Sequence, residues 1–274
     1  MTEVQNMMEA IFQIAEESKL LFSMFVFIFG ACIGSFLNVC IYRFPEGISV
    51  VKPASHCPNC KAKIRWFENI PLISFLVLKA KCAHCGKPIS VRYFLVELFC
   101  GLALVGFFHL FGLTAELLWF SCLFYSLFII TWIDVKYMEI PDQVTLVGIV
   151  VGCLINFIFP GIMQLESHWL SLGKSVLGML LGGGIIWVTA LIGDFLMKKE
   201  TMGGGDLKLM AMVGAFLGIQ NTLLTFFLAP FLALPFALFQ KYVRKNELVP
   251  FGPFLALAAI FSVFGGDWLI KTLF

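Results

Sequence analysis

The chain has 274 residues, 60% hydrophobic and only 13% charged, with 19 Lys and Arg against 17 Asp and Glu. Soluble domains carry about twice that charge fraction, so this composition, with a mean hydropathy of +0.94, excludes a soluble globular protein and predicts an all-α polytopic membrane protein. So slight a basic excess gives no reason to expect a nucleic-acid partner; the partner it implies is the lipid bilayer.

An acidic stretch with Glu3, Glu9, Glu16 and Glu17 precedes the first uncharged run, 20–42. No small-x-small cleavage site follows that run, so it is expected to be retained as an anchor. Next comes a loop, 43–92, with nine basic residues and Cys57, Cys60, Cys82 and Cys85 spaced C-x2-C-x21-C-x2-C. Four thiolates in two close pairs suit a tetrahedral zinc ion, although the intervening loop is slightly longer than the usual ribbon spacing. Such a site is closed, so its role should be structural, in a zinc-ribbon-like insertion. The loop has too little apolar content to fold alone, which links its folding to the metal. His56 and His84 are surplus to four cysteines and read as solvated. Within the loop, "IRWFENIPLISFLVL" (64–78) is apolar enough to lie against lipid headgroups, flanked by Arg65 and Lys79. Equally, it could pack over an active site as a lid.

Runs long enough to cross a bilayer, about 17–25 residues, continue at 93–113, 117–133, 143–165 and 175–193, and close at 250–266. Glu97 sits inside the first of these, with Arg92 or Arg43 as its expected partner. The "G-x-x-x-G" at Gly178–Gly182, continuing to Gly184, predicts close helix packing. The stretch 209–239 is too long for one crossing and short for two. A tilted or re-entrant hairpin there, with limbs 209–219 and 222–239, gives about eight segments; a single bent helix gives seven. With the hairpin, 16 of the 19 basic residues fall on one side, as the positive-inside rule requires of cytoplasmic loops. The organisation expected is an outward N-terminus and first anchor (1–42), a cytoplasmic four-cysteine loop (43–92) and a polytopic membrane domain (93–274). Cys32, Cys40, Cys100, Cys122 and Cys153 fall in apolar segments and read as small buried hydrophobes.

Two carboxylates then stand out. Asp134 closes a span in "TWIDVKYMEIPD" (131–142), and Asp206 opens one in "TMGGGDLKLM" (201–210), both on the basic side. Ionisable groups near a helix centre in a membrane cost about 2.5–3.5 kcal/mol, and less at its ends. Two carboxyls a few ångströms apart share a proton. One can then activate a water while the other protonates a peptide carbonyl oxygen. Gly203, Gly204 and Gly205 would let an extended substrate backbone approach. The plainer readings are an interfacial charge at each aspartate and a hinge at the glycines. Asp142 follows Pro141 at a helix start, where a carboxylate favours the dipole. Asp194 reads as interfacial.

"MGGGDLKL" matches the GxGD signature of intramembrane aspartyl peptidases. With "GACIGSFLNVCIYRFP" (30–45), "HCPNC" (56–60), "IRWFENIPLISFL" (64–76), "CAHCGKPISVRYFLVE" (82–97), "IDVKYMEIPD" (133–142) and "PFGPFLALA" (250–258), the chain resembles the bacterial type IV prepilin peptidases, prepilin leader peptidase/N-methyltransferases. The resemblance implies Asp134 and Asp206 as the catalytic pair of a multi-pass enzyme of the bacterial inner membrane. It implies cleavage at the cytoplasmic face, after the Gly ending the leader of prepilins and type II secretion pseudopilins. It also implies methylation of the new N-terminal residue, usually Phe, by S-adenosylmethionine, for which the sequence itself shows no recognisable pocket. Two other classes are carried alongside. One is an ion transporter with a zinc-regulated loop, which explains the acids but not their place at one face. The other is a membrane thiol oxidoreductase using the two C-x-x-C pairs.

Overall fold

In a bilayer every backbone polar group must be satisfied within the chain, so long apolar runs become helices. The computed structural model, which describes residues 19–198, 202–244 and 249–273, is helical almost throughout. Its helices are α1 (Lys19–Arg43), α2 (Ile73–Val77), α3 (Val91–Phe111), α4 (Ala115–Tyr137), α5 (Asp142–Ile158), α6 (His168–Met197), α7 (Gly204–Phe239) and α8 (Gly252–Leu273). No strand forms among the described residues; two isolated antiparallel bridges occur in the cysteine loop. The acidic N-terminal stretch, Lys199 and Lys245 lie outside the described residues. Among the described residues, five helices are long and apolar enough to cross a membrane: α1, α3, α4, α6 and the segment Gly204–Tyr242. The chain is a multi-pass membrane protein. The run read as a span at 143–165 is helical only to Ile158, giving 17 residues, and continues as a short 3-10 helix, Pro160–Met163. Pro160 biases the residue before it out of the α region, and Phe159 has ψ 73°.

The chain forms two compact units that meet in sequence between Leu117 and Leu118. In the first, α1 lies on α3 through Gly30 and Gly34, four residues apart. A Cβ at Gly30 would sit 2.8 Å from the Cys100 carbonyl oxygen, and one at Gly34 2.8 Å from Glu97 Cα. Small residues at this spacing bring helix backbones together where lipid offers no hydrophobic drive. Asn38 Nδ2 donates to the Tyr93 carbonyl across the same contact (3.1 Å). Cys40 and Cys100 are buried as expected, whereas Cys32 is exposed.

In the second unit α6 meets α7 backbone to backbone. Gly178 faces Gly214, and Gly182 faces the Met210 carbonyl, so closely that no Cβ fits. Gly184, by contrast, faces open space. α7 is broken at Gly218 (φ 69°, ψ −172°), a conformation open to glycine. Met210 and Thr222 both lie against Gly182, so the chain reverses between them and the hairpin read from the sequence is present. Its turn falls at Gly218, and Gln220 and Asn221 continue the second limb.

A break in a buried helix leaves carbonyls without donors. Asn156, fully buried on α5, supplies them. Its Nδ2 donates to Ala215 O (3.0 Å) and Phe216 O (3.1 Å), and Ser171 Oγ donates to the Asn156 carbonyl (2.7 Å). Phe216 O also accepts from Trp119 Nε1 (3.3 Å), so Asn156→Ala should leave Ala215 O unpaired and destabilise the chain by about 1–3 kcal/mol. The midpoint of denaturation in detergent checks this.

Candidate active site and metal centre

Asp134 sits in the last turn of α4 and is 6% exposed. Asp206 sits in the first turn of α7, half-buried, preceded by Gly203 as the N-cap in extended backbone (φ −77°, ψ 149°). Although 72 positions apart in the chain, the two carboxyls are close enough for the charge on Asp134 to act on Asp206. Two contacts hold the α4–α5 turn against the start of α7. A Cβ at Gly205 would lie 2.9 Å from Ile140 Cβ, so Gly205 is needed for this packing. Lys208 Nζ bonds both oxygens of Asp142 (2.6 and 2.7 Å). Asp142 thus has a definite partner as well as a place at the N-terminus of α5. Gly203 and Gly204 are exposed; a Cβ at Gly204 would meet nothing, and one at Gly203 only the Gly205 N at 3.9 Å. None of the three loop glycines has a positive φ, so what sets Gly205 apart is the close approach of Ile140.

A residue the sequence reading passed over completes the site. The Gly252 N–H donates to Asp134 Oδ2 at 2.9 Å from the N-terminus of α8. A Cβ there would lie 2.8 Å from that oxygen and 3.3 Å from Asp134 Cγ. The motif "PFGPFLALA" was visible, but nothing local says that its glycine reaches a carboxylate 118 positions away. Chemically, the site is a buried carboxyl held by a backbone donor, within electrostatic reach of a second, half-buried carboxyl. Such a pair suits proton exchange with a water and a carbonyl oxygen.

In the first unit the four cysteines converge. Their sulfurs all lie within 4.8 Å of one another, and Cys57 Sγ is 4.0 Å from Cys85 Sγ. Each pair sits on the same backbone knuckle. Cys57 N–H donates to Ala62 O and Lys61 N–H to Cys57 O; Cys82 N–H donates to Lys87 O and Gly86 N–H to Cys82 O, all at 2.9 Å. The residue after the second cysteine is left-handed in both, Lys61 at φ 58° and Gly86 at φ 68°. Bridges His56–Lys63 and Lys81–Pro88 close the two knuckles at equivalent positions. Backbone N–H groups of Cys60 and Asn59 lower the Cys57 thiol to about 6. A tetrahedral ion with Zn–S of 2.3 Å needs sulfurs about 3.8 Å apart, so the four-thiol set fits a metal ion. Arg43 is buried beneath this loop, donating to Ser49 O (2.7 Å) and Pro53 O (2.8 Å). Glu97 therefore does not pair with it. Nor does an ion pair form with Arg92, whose guanidinium lies over the Tyr93 ring; Glu97 accepts the Leu72 N–H instead (2.8 Å).

Comparison with known proteins places both sites in one family. Residues 28–111, with the four cysteines, match the bacterial peptidase A24 N-terminal domain, and residues 121–238, with both aspartates, match the type IV leader peptidase family. A prepilin leader peptidase/N-methyltransferase of Pseudomonas putida is 32% identical over 265 residues, covering 88% of this chain and 89% of that protein. One of Aeromonas hydrophila is 34% identical over 296 residues, covering 96% and 98%. One of Neisseria gonorrhoeae is 32% identical over 276 residues, covering 89% and 88%. No solved structure gives a significant match. With a carboxyl pair at two helix ends, a four-thiol loop and relatives aligned over almost their whole length, this chain belongs to the type IV leader peptidase family.

Proposed function

We propose that the chain cleaves the leader peptides of prepilins and type II secretion pseudopilins at the cytoplasmic face of the bacterial inner membrane, and methylates the new N-terminal residue. The observation that carries the peptidase reading is the Asp134–Asp206 pair, brought together from distant positions with the Gly252 N–H fixed on Asp134. Asp134 and Asp206 act as one acid–base unit. A water between them loses a proton to the pair as its oxygen bonds to the scissile carbonyl carbon. The pair's other proton goes to the carbonyl oxygen. Collapse of the tetrahedral intermediate breaks the C–N bond, the departing amine taking a proton from the pair while a hydroxyl of the intermediate returns one to it. Neither aspartate is assigned as the base, because a coupled pair titrates as a unit. Exposed Gly203 and Gly204 leave backbone room beside Asp206 for an extended substrate. The cytoplasmic orientation rests on the basic loops, since 16 of 19 Lys and Arg fall on one side of the expected topology.

The organisation that goes with this reading is a first anchor at 1–42, a metal loop at 43–92 and a catalytic membrane domain at 93–274. Zinc is the ion the thiol set suits best, and it holds the two knuckles together. Cys57→Ser should drop bound zinc well below one ion per chain and unfold the loop, read by elemental analysis and protease sensitivity. Full zinc content in that variant would remove the site. Methylation rests on the names of the relatives. The cleft in the metal loop, about 650 Å³, is large enough for a nucleoside, but Lys63 and Arg65 line it and no acid does. These residues do not fit a sulfonium, so none is assigned to hold S-adenosylmethionine. Incubation in lipid with a pilin-like precursor and methyl-labelled S-adenosylmethionine should give a shortened, labelled product. A precursor left at full length overturns the peptidase reading, and an unlabelled product overturns methylation. The transporter reading finds no support among the relatives.

A further inference from the structure

The metal loop contains a segment whose apolar side chains have no cover within the described chain. Trp66 is 82% exposed, and on the short helix α2, Ile73, Leu76 and Val77 are 59, 64 and 72% exposed. An aqueous loop would not leave these side chains in water. Two contacts tie the segment to a membrane-spanning helix of the same unit. The Leu72 N–H donates to Glu97 Oε2, and the Phe75 ring lies 5.2 Å from that of Phe94. Glu97 is the seventh residue of α3, about 9 Å along a helix rising 1.5 Å per residue. It is the first charge beyond Arg92, and no Asp, Glu, Lys or Arg follows it in α3.

The backbone bends to make this contact. Leu72 has φ 62° and ψ −48°, and Ile73 N–H donates to Pro71 O at 2.6 Å. That is the rare γ-turn with positive φ, strained for a side chain branched like leucine. Ser74 Oγ closes the segment on Phe67 O (3.0 Å), leaving α2 pinned at the level of Glu97 with its aliphatic side chains outward. The exposed apolar face of α3 itself, with Val91, Leu95, Phe99 and Leu102, runs on into the lipid-facing surface of a helix that crosses the membrane. Lys63, Arg65, Lys79 and Lys81 flank the segment, while Glu68 is its one acid.

We propose that residues 66–77 form an interfacial membrane element, with Ile73, Leu76 and Val77 in the outer acyl layer and the flanking cations among anionic phosphates. Elements of this kind bury their apolar face about 5–10 Å into the headgroup and acyl boundary, the depth that Glu97 imposes. Glu97 is the polar latch that holds the element there. Its carboxyl accepts a backbone N–H there, so the group is not left without a polar partner at that depth.

The test uses the full chain in vesicles of phosphatidylethanolamine and phosphatidylglycerol, carrying an environment-sensitive fluorescent amino acid at Val77 or, as a control, at exposed Lys87. The Val77 probe should be quenched by acyl-brominated lipids and not by aqueous iodide, with the reverse pattern at Lys87. Adding Glu97→Leu should make the Val77 probe accessible to iodide and leave Lys87 unchanged. Iodide quenching of Val77 in the unmodified background overturns the proposal. A blue-shifted Val77 probe that neither quencher reaches also overturns it, because a protein surface then covers α2. Unchanged Val77 quenching in the Glu97→Leu variant would refute the latch.

Discussion

Asp134→Asn and Asp206→Asn will each leave a pilin-like precursor uncleaved in membranes where the wild-type chain converts it. Asparagine keeps the shape of the side chain, and at position 134 its carbonyl oxygen can still accept the Gly252 N–H. Folding should survive, so denaturation midpoints should stay close to wild type. What is lost is the exchangeable proton, and positioned acid–base groups contribute about 10²–10⁴-fold each. Because the two carboxyls work as one unit, the double variant should cleave no less than either single one; effects within such a unit are far from additive. A product released at the wild-type rate by either variant would remove that aspartate from the site. Loss of folded protein would instead make the residue structural, and the midpoint separates the two outcomes.

What could be read from the sequence was whatever local pattern carries. Apolar runs gave helices because lipid leaves no other choice. The C-x2-C pairs gave two equivalent knuckles, and their spacing alone implied the convergence now seen within 4.8 Å. Asp206 stood out as a candidate because three glycines precede a charge in an apolar chain. Contacts that depend on distant backbone were not legible. The α7 turn was expected near Gln220 and Asn221, two polar residues, yet the chain turns at Gly218, where glycine tolerates φ 69° and Asn156 stands ready to take the freed carbonyls. Charge complementarity suggested an arginine for Glu97, but a carboxylate inside a span is satisfied as well by a backbone N–H. Arg43 was already committed to two carbonyls of its own loop. Asp142 was read as a dipole partner, and its bond to Lys208 required knowing that α5 and α7 begin side by side.

Gly252→Ala will lower cleavage by about 100-fold while leaving the protein folded. The added methyl would occupy a point 2.8 Å from Asp134 Oδ2 and 3.3 Å from Cγ, closer than carbon and oxygen settle. The Asp134 carboxyl is the end of a short side chain on a buried helix turn, so it yields by rotating away rather than by moving α8. That rotation breaks the 2.9 Å bond from the Gly252 N–H and takes the carboxyl out of register with Asp206. Misplacement of a reacting group by about 1 Å costs on the order of 10²-fold, and the buried Gly252 N–H left without its acceptor should also lower stability, by about 1–3 kcal/mol. The loss should appear in kcat with KM nearly unchanged, since Gly252 is placed to touch Asp134 and not the substrate. A larger residue, as in Gly252→Val, should deepen the loss. Wild-type turnover by Gly252→Ala would mean that the carboxyl has another productive orientation, and the amide of α8 would then have no part in holding it.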